Sequence, residues 1–257
     1  MKISKIEREY FKKIKLFQEY NKYYYDESEP LVTDSEFDSL KKEIIELEKK
    51  HKFLKSESSP SNSVGFAPSK NFKKVKHKVQ MLSLSNAFNE EDLKNFEKKI
   101  RNFLSLKENE EIEYSAEPKI DGISASLNYK NGKFAQGLSR GNGKEGEDIT
   151  ENLKTIKDIP KVINAKDFPT EIDIRGEVFI QNDDFKKIDA KFANPRNAAS
   201  GSLRQKDPMA TSKIPLKFIA YTFGFVKEIN FQSQSIFLKN LKKWGFKTNK
   251  YNKNITG

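Results

Sequence analysis

Ile123-Ser-Ala125-Ser-Leu127-Asn-Tyr129-Lys-Asn131-Gly132-Lys-Phe134 is the stretch on which the fold turns. Its apolar residues fall at every second position, and side chains alternate across a strand, so one face is apolar and the other is not. Asn131-Gly132 then suits a tight turn, because both residues tolerate the positive φ that a two-residue hairpin requires. A return strand follows from Phe134 to Arg140. Towards the C-terminus the same alternation recurs over Glu171–Ile180. Ile172, Ile174, Val178 and Ile180 lie on one side, Asp173, Arg175 and Glu177 on the other. Leu216–Val226 reads as a further strand, and Phe237, Leu241 and Trp244 mark a helix ended by Gly245. Hairpin strands with helices set between them indicate an α+β domain with mostly antiparallel sheets and flanking helices.

Towards the N-terminus, Asn89 caps a helix expected to turn Leu93, Phe96, Ile100 and Phe103 inward. Residues 55–76 are rich in Ser, Pro, Gly and Lys and read as an extended linker, with a domain boundary near residue 68. That divides the chain into a small helical domain, 1–68, and a larger domain, 69–257. In the first, Ile6, Tyr10, Ile14, Phe17 and Tyr24 recur at helical spacing over 5–25. Thr33-x-x-Glu36 reads as a capping box, each side chain satisfying the other residue's free backbone N–H. The helix it starts carries Phe37, Leu40, Ile44 and Leu47 on one face, so the two helices form a hairpin through residues 26–32.

The 257 residues carry a formal charge of +11, with a pI near 9.4. That suits a polyanionic partner, but lysine is spread along the whole chain, so charge alone decides nothing. The absence of cysteine excludes disulfides, thiol catalysis and a thiolate-held zinc in these residues. Met1 to Lys13 has no signal-like apolar core, and the longest apolar-rich run, Phe218 to Val226, is too short to span a bilayer. A cytoplasmic protein with no membrane partner is expected.

Two motifs compete for a phosphate. Gly141-Asn-Gly-Lys-Glu-Gly146 satisfies the G-x-G-x-x-G pattern formally, yet it follows the return strand of a hairpin rather than a strand opening a βαβ unit. Glu147-Asp148 also puts negative charge where a pyrophosphate would lie. It reads as a turn. Glu117-Pro-Lys119-Ile-Asp121-Gly122 sits where a strand ends, so a reactive lysine is held by rigid structure and stays reachable. Alone it is weak, because lysine is common here and Asp-Gly is an ordinary turn. It gains weight from Arg140, Glu177 and the block Asn194-Pro-Arg196-Asn197-Ala-Ala-Ser-Gly-Ser-Leu-Arg204-Gln205, where arginines and amides stand among small residues. In isolation that block is equally a capped, Ala-rich helix.

Together these stretches resemble the bacterial-type NAD-dependent DNA ligases, along nearly the whole chain and in the same order. Lys119-Ile-Asp-Gly resembles the nucleotidyltransferase signature of the ATP-grasp-like ligase domain. Ser139–Asp148, Arg175-Gly-Glu-Val-Phe179, Asn194–Gln205 and Met81-Leu-Ser83-Leu84-Ser-Asn-Ala-Phe88 resemble segments particular to the NAD-dependent branch. Tyr23-Tyr24-Tyr with Asp34-Ser35-Glu36-Phe37-Asp38 resembles its surface for nicotinamide mononucleotide.

The resemblance implies that Lys119 attacks the α-phosphorus of NAD and carries AMP. The AMP passes to the 5′-phosphate of nicked double-stranded DNA, and the 3′-hydroxyl displaces it, as replication and repair require. Arg140, Arg196 and Arg204 would counter phosphate charge and favour a neutral attacking lysine. Glu117 and Glu177 would contact the adenosine, Ser83 and Leu84 the adenine, and Asn194 belongs to the same nucleotide-binding set. Tyr24, Asp34 and Asp38 would face the nicotinamide mononucleotide, with Ser35, Glu36 and Phe37 between them. Magnesium would accompany the transferring phosphate, with no metal ligand expected among these residues. Phe37 stands where the family usually has Tyr, and Asn142 where it usually has Asp. The family's Asp-Gly-Val-Val-x-Lys strand, oligonucleotide-binding barrel, four-Cys zinc module, helix-hairpin-helix region and BRCT domain lie beyond these residues. The resemblance therefore implies an incomplete version of the enzyme, a monomer that binds nucleotide weakly and does not seal nicks unaided.

Overall fold

The computed structural model describes residues 4–23, 31–54, 56, 58–61, 72–188 and 192–256, with the backbone alone of Asp34. The first unit is a pair of antiparallel helices, α1 (Lys5–Lys22) and α2 (Asp34–Lys50). Both begin with a capping box. Thr33 and Glu36 form the one legible in the sequence, and Ser4 with Glu7 forms a second that the sequence reading passed over. The helices meet through Tyr10, Ile14 and Phe17 on one side and Leu40 and Ile44 on the other, all buried. Phe17 and Phe37 approach ring to ring at 5.0 Å, Lys13 pairs with Glu43 at 2.6 Å, and the Tyr10 hydroxyl donates to Glu48 at 2.7 Å. The partners run in opposite directions along the chain, as a hairpin requires.

One sequence expectation needs correction here. Part of the supposed linker belongs to folded structure. Ser59 and Pro60 are buried, Ser59 against Glu48 of α2, just after Leu54, which completes the helical core. Burial pushes the Glu48 carboxyl up, but hydroxyls of Ser59, Ser61 and Tyr10 outweigh it and hold the group below the ordinary carboxylate range. At the other end, Lys74–Lys76 forms strand β1, which pairs with β5 (Glu145–Glu147). A composition of Ser, Pro and Lys lacks hydrophobic periodicity, yet its hydroxyls can still close over a half-buried carboxylate.

The second unit is built on a four-stranded antiparallel sheet, in the order β4 (Lys133–Ser139), β3 (Ile123–Lys130), β6 (Glu171–Phe179), β7 (Lys217–Val226). The hairpin between β3 and β4 turns through Asn131 at φ 48° and Gly132 at φ 73°. Leu127 faces Gly137 on one side and Ile174 on the other, so the apolar alternation read from sequence is in register across three strands. Tyr129 is fully buried and lies within 5.7 Å, ring to ring, of Phe134, Phe168 and Phe246. Its hydroxyl donates to the Pro160 carbonyl at 2.5 Å. Helix α8 (Gln234–Lys243) closes this core with Phe237 and Leu241, neither exposed. Each such side chain contributes roughly 2–3 kcal/mol by leaving water.

Asp173, Arg175 and Glu177, on the opposite side of β6 from its apolar residues, are buried too. Residues 77–81 cover Arg175, and the pocket described below covers Glu177. Helix α3 (Glu90–Leu104) departs further from expectation. Asn89 caps it as read, its Oδ1 accepting from the Asp92 N–H at 2.8 Å. Its apolar face, however, is not turned inward. Leu93 is 58% exposed, Phe96 47% and Phe103 87%. An amphipathic pattern specifies an apolar face but not what lies over it. Among the described residues, Tyr114 on β2 (Glu113–Ala116) approaches Phe96, at 6.4 Å between ring centres. β2 itself pairs with β8 (Lys253–Thr256).

Candidate active site

Five separate segments converge on one concave pocket. Lys119 comes from the irregular stretch between β2 and β3, Arg140 from the end of β4, Glu147 from β5, and Glu177 from β6. Arg196 and Arg204 come from α6 (Pro195–Leu203) and its C-terminal cap. Gly122 allows the lysine-bearing segment to press against β6, since a Cβ there would meet the Val178 carbonyl. Gly141 and Gly143 both take positive φ, 56° and 84°, so the glycine-rich motif is the turn joining β4 to β5. Asn142 explains how that turn tolerates an amide in place of a carboxylate. Its Oδ1 accepts from the N–H groups of Lys144 and Glu145 at 3.0 and 2.9 Å, and a carbonyl oxygen suffices for that.

The pocket sets four cations among carboxylates of unequal burial. Burial pushes the Glu177 carboxyl above the ordinary carboxylate range. The Ser124 hydroxyl, donating at 2.9 Å, and the charges of Lys119, Arg196 and Arg140 pull it part of the way back. Tyr221 on β7 is raised mainly by burial and then by the charge of Glu177. The sequence reading missed Ser124 and Tyr221. Their signal was their position one step along strands already read, on the face carrying Glu177. Arg196 donates to Asp121 at 2.9 Å, and Arg204 donates through Nε to Glu147 at 3.1 Å.

Behind the pocket, Arg175 clamps the chain that leads to Ser83. Its Nη1 donates to the Gln80 carbonyl at 3.1 Å and its Nη2 to the Val79 carbonyl. Burial lowers its pKa, against the charges of Asp173 and Tyr221. Met81 donates its N–H to Gly143 at 2.9 Å, and His77 Nε2 lies 3.1 Å from the Arg140 carbonyl. The segment 77–81 is thereby sewn to the turn that carries Arg140.

The remaining candidates fall outside the pocket wall. Glu117 receives hydrogen bonds from Gln234 at 2.7 Å, Ser115 at 3.1 Å and Asn252 at 3.2 Å. Asn194 is the N-cap of α6, accepting from the Asn197 N–H at 2.8 Å. Ser83 and Leu84 are exposed. In the helical pair, Glu36 is engaged in the capping box, Phe37 packs against Phe17, and Ser35 faces solvent. Asp38 accepts a hydrogen bond from Asn86, which links the helical pair to the larger unit. Tyr24 and the side chain of Asp34 lie outside the described residues.

Comparison with known proteins gives this pocket its context. Residues 69–257 match the model of the NAD-dependent DNA ligase adenylation domain, and residues 4–65 match the DNA ligase-like, N-terminal NAD+-binding domain. The chain therefore belongs to the NAD-dependent DNA ligase family. It is 71% identical over 252 residues to a DNA ligase of Pelagibacter ubique, covering 98% of this chain and 37% of that protein. A DNA ligase of Parvibaculum lavamentivorans is 45% identical over 240 residues, and one of Clostridioides difficile 44% over 243. These alignments cover 90% and 91% of this chain, and 34% and 35% of the relatives. The chain thus spans about a third of the length of the curated relatives it matches.

Proposed function

We propose that Lys119 is the nucleophile of a lysine adenylylation that consumes NAD and serves the sealing of nicks in duplex DNA, in replication and repair. The observation that carries this reading is the pocket itself, which gathers one lysine with Arg140, Arg196 and Arg204 from separate segments. In the reaction, Lys119 Nζ forms a bond to the α-phosphorus of NAD and loses a proton. The bond to nicotinamide mononucleotide breaks, and that fragment departs with the electron pair. A phosphoramidate suits the task, being stable enough to wait and activated enough to pass AMP to a 5′-phosphate. The three guanidiniums counter the charge that develops on the transferring phosphate. Magnesium would travel with the nucleotide's oxygens and offset their charge. Glu177, with Glu117 behind it, is assigned to the adenosine side, and Ser83 and Leu84 to the adenine.

The helical pair, with the domain boundary near residue 68, is assigned to the nicotinamide mononucleotide half of NAD through Tyr24, Asp34 and Asp38. The protein is placed in the cytoplasm as a monomer. Among the described residues no helix is long and apolar enough to cross a membrane. Mass spectrometry of the chain incubated with NAD, and separately with ATP, tests the reading. A gain of one AMP from NAD alone is expected. An adduct from ATP would instead assign a different nucleotide donor, and no adduct from either would reduce the pocket to a binding site.

A further inference from the structure

Glu147 is an odd residue to find in the wall of a phosphate site. It is fully buried, its side chain 1% exposed, and with Glu177 it is one of two carboxylates in a pocket that also holds four basic side chains. It cannot serve an anionic ligand directly, because like charges repel. Its contacts suggest another task. Glu147 Oε2 accepts from Arg204 Nε at 3.1 Å, and the Glu147 N–H donates to Ser139 Oγ at 2.9 Å. The backbone beneath it is fixed on both sides, by pairing of Glu147 with Lys74 and by the bridge from Asp148 to Leu138. Arg204 comes from a different element. It is the residue after the last turn of α6, and its side chain is 34% exposed.

We infer that Glu147 is a positioning residue for the reaction, holding the Arg204 guanidinium at Nε so that its paired Nη edge faces the phosphate of a bound nucleotide. This rests on the reading of the pocket as a nucleotide site. A contact through Nε sets the orientation of a planar cation, and the paired Nη groups are the edge that takes phosphate oxygens two at a time. Breaking the pair would leave a charge buried without compensation, so the contact persists in the folded state. The pair of Arg196 with Asp121 differs on this point. Asp121 is 75% exposed, and an ion pair open to water contributes little, so Asp121 fixes Arg196 less firmly than buried Glu147 fixes Arg204.

The test uses this 257-residue chain and calorimetric titration with AMP and, separately, adenosine. Glu147→Gln keeps the shape of the side chain and removes its charge. It should weaken AMP about tenfold and leave adenosine unchanged, the scale of one charge-assisted contact. Arg204→Ala should do the same, and the double variant should be no worse than Arg204→Ala alone, because the glutamate acts through the arginine. Independent, multiplying losses would overturn the inference, as would AMP binding by Glu147→Gln equal to that of the parent chain. Arg204→Lys supplies a second arm that holds even if Glu147→Gln does not fold. Lysine keeps the charge and lacks the fork, so AMP should bind as weakly as to Arg204→Ala. Restored binding would show that charge alone matters. A parent chain that binds neither ligand would sink the nucleotide reading, and this inference with it. A parent chain that prefers AMP while Glu147→Gln prefers it equally would sink this inference alone.

Discussion

Gly224→Ala should destabilise the protein, and the same change should become harmless once Arg175 is removed. Gly224 lies in β7 against the guanidinium of Arg175. A Cβ built there would come within 2.7 Å of Nη2, 2.8 Å of Nε and 2.9 Å of Cζ, all atoms of one side chain. The end of an arginine usually moves aside at little cost, but this one is buried and bound to the carbonyls of Val79 and Gln80. Retreat to ordinary contact needs roughly 0.7 Å, which stretches the 3.1 Å bond to Gln80 past hydrogen-bonding range. A hydrogen bond from a charged donor is worth about 1.5–3 kcal/mol, so the loss should be about 2–3 kcal/mol. In an Arg175→Ala background the three nearest atoms are gone. Alanine is the better strand residue there by roughly 0.5–1 kcal/mol, so the sign should reverse. Urea unfolding followed by fluorescence of Trp244, the single tryptophan and 4% exposed, gives all four stabilities. Equal destabilisation in both backgrounds would refute the account of what fills the space over Gly224.

Lys119→Ala should abolish any AMP adduct formed from NAD by a complete enzyme carrying this domain, and a normal adduct in that variant would remove Lys119 from its proposed role. Glu177→Gln should stabilise the fold at neutral pH. The folded carboxyl is raised, so its favourable contribution belongs to the protonated form and is lost as pH rises through the folded value. The gain in melting temperature should therefore fade below the ordinary carboxylate range, and a difference independent of pH would contradict that. Tyr10→Phe should cost about 1.5–3 kcal/mol through the lost donor to Glu48. Because Glu48 is lowered in the folded state, the cost should shrink as pH falls through its titration, read by thermal unfolding across pH.

The parts legible in the sequence were those that a local rule dictates. The β3–β4 hairpin followed from alternation and Asn131-Gly132, and the capping box of α2 from Thr33 three residues before Glu36. The glycine-rich motif was recognisable as a turn because its preceding strand returns from a hairpin. What escaped depends on pairs far apart in sequence. Glu147 looked like an argument against a phosphate, because its partner Arg204 lies 57 residues away. Gln234, which donates to Glu117 from α8, stands in no motif at all. Tyr221 read as one aromatic in an apolar strand, and only the crossing of β7 beside β6 puts it next to Glu177. The exposed face of α3 belongs with these, since periodicity carries no information on what an apolar face meets.

That face has a practical consequence for anyone handling the protein in solution. Leu93, Phe96, Phe103 and Leu104 on α3, with Leu82, Leu84 and Phe88 just before it, leave apolar side chains open to water on a chain of net charge +11. The two properties pull salt choice in opposite directions. Low salt leaves attraction between a chain of this charge and any polyanion unscreened, whereas strongly excluded salts such as sulfate drive apolar surfaces together. Moderate sodium chloride screens the first without promoting the second, and sulfate fractionation should bring this chain out of solution early.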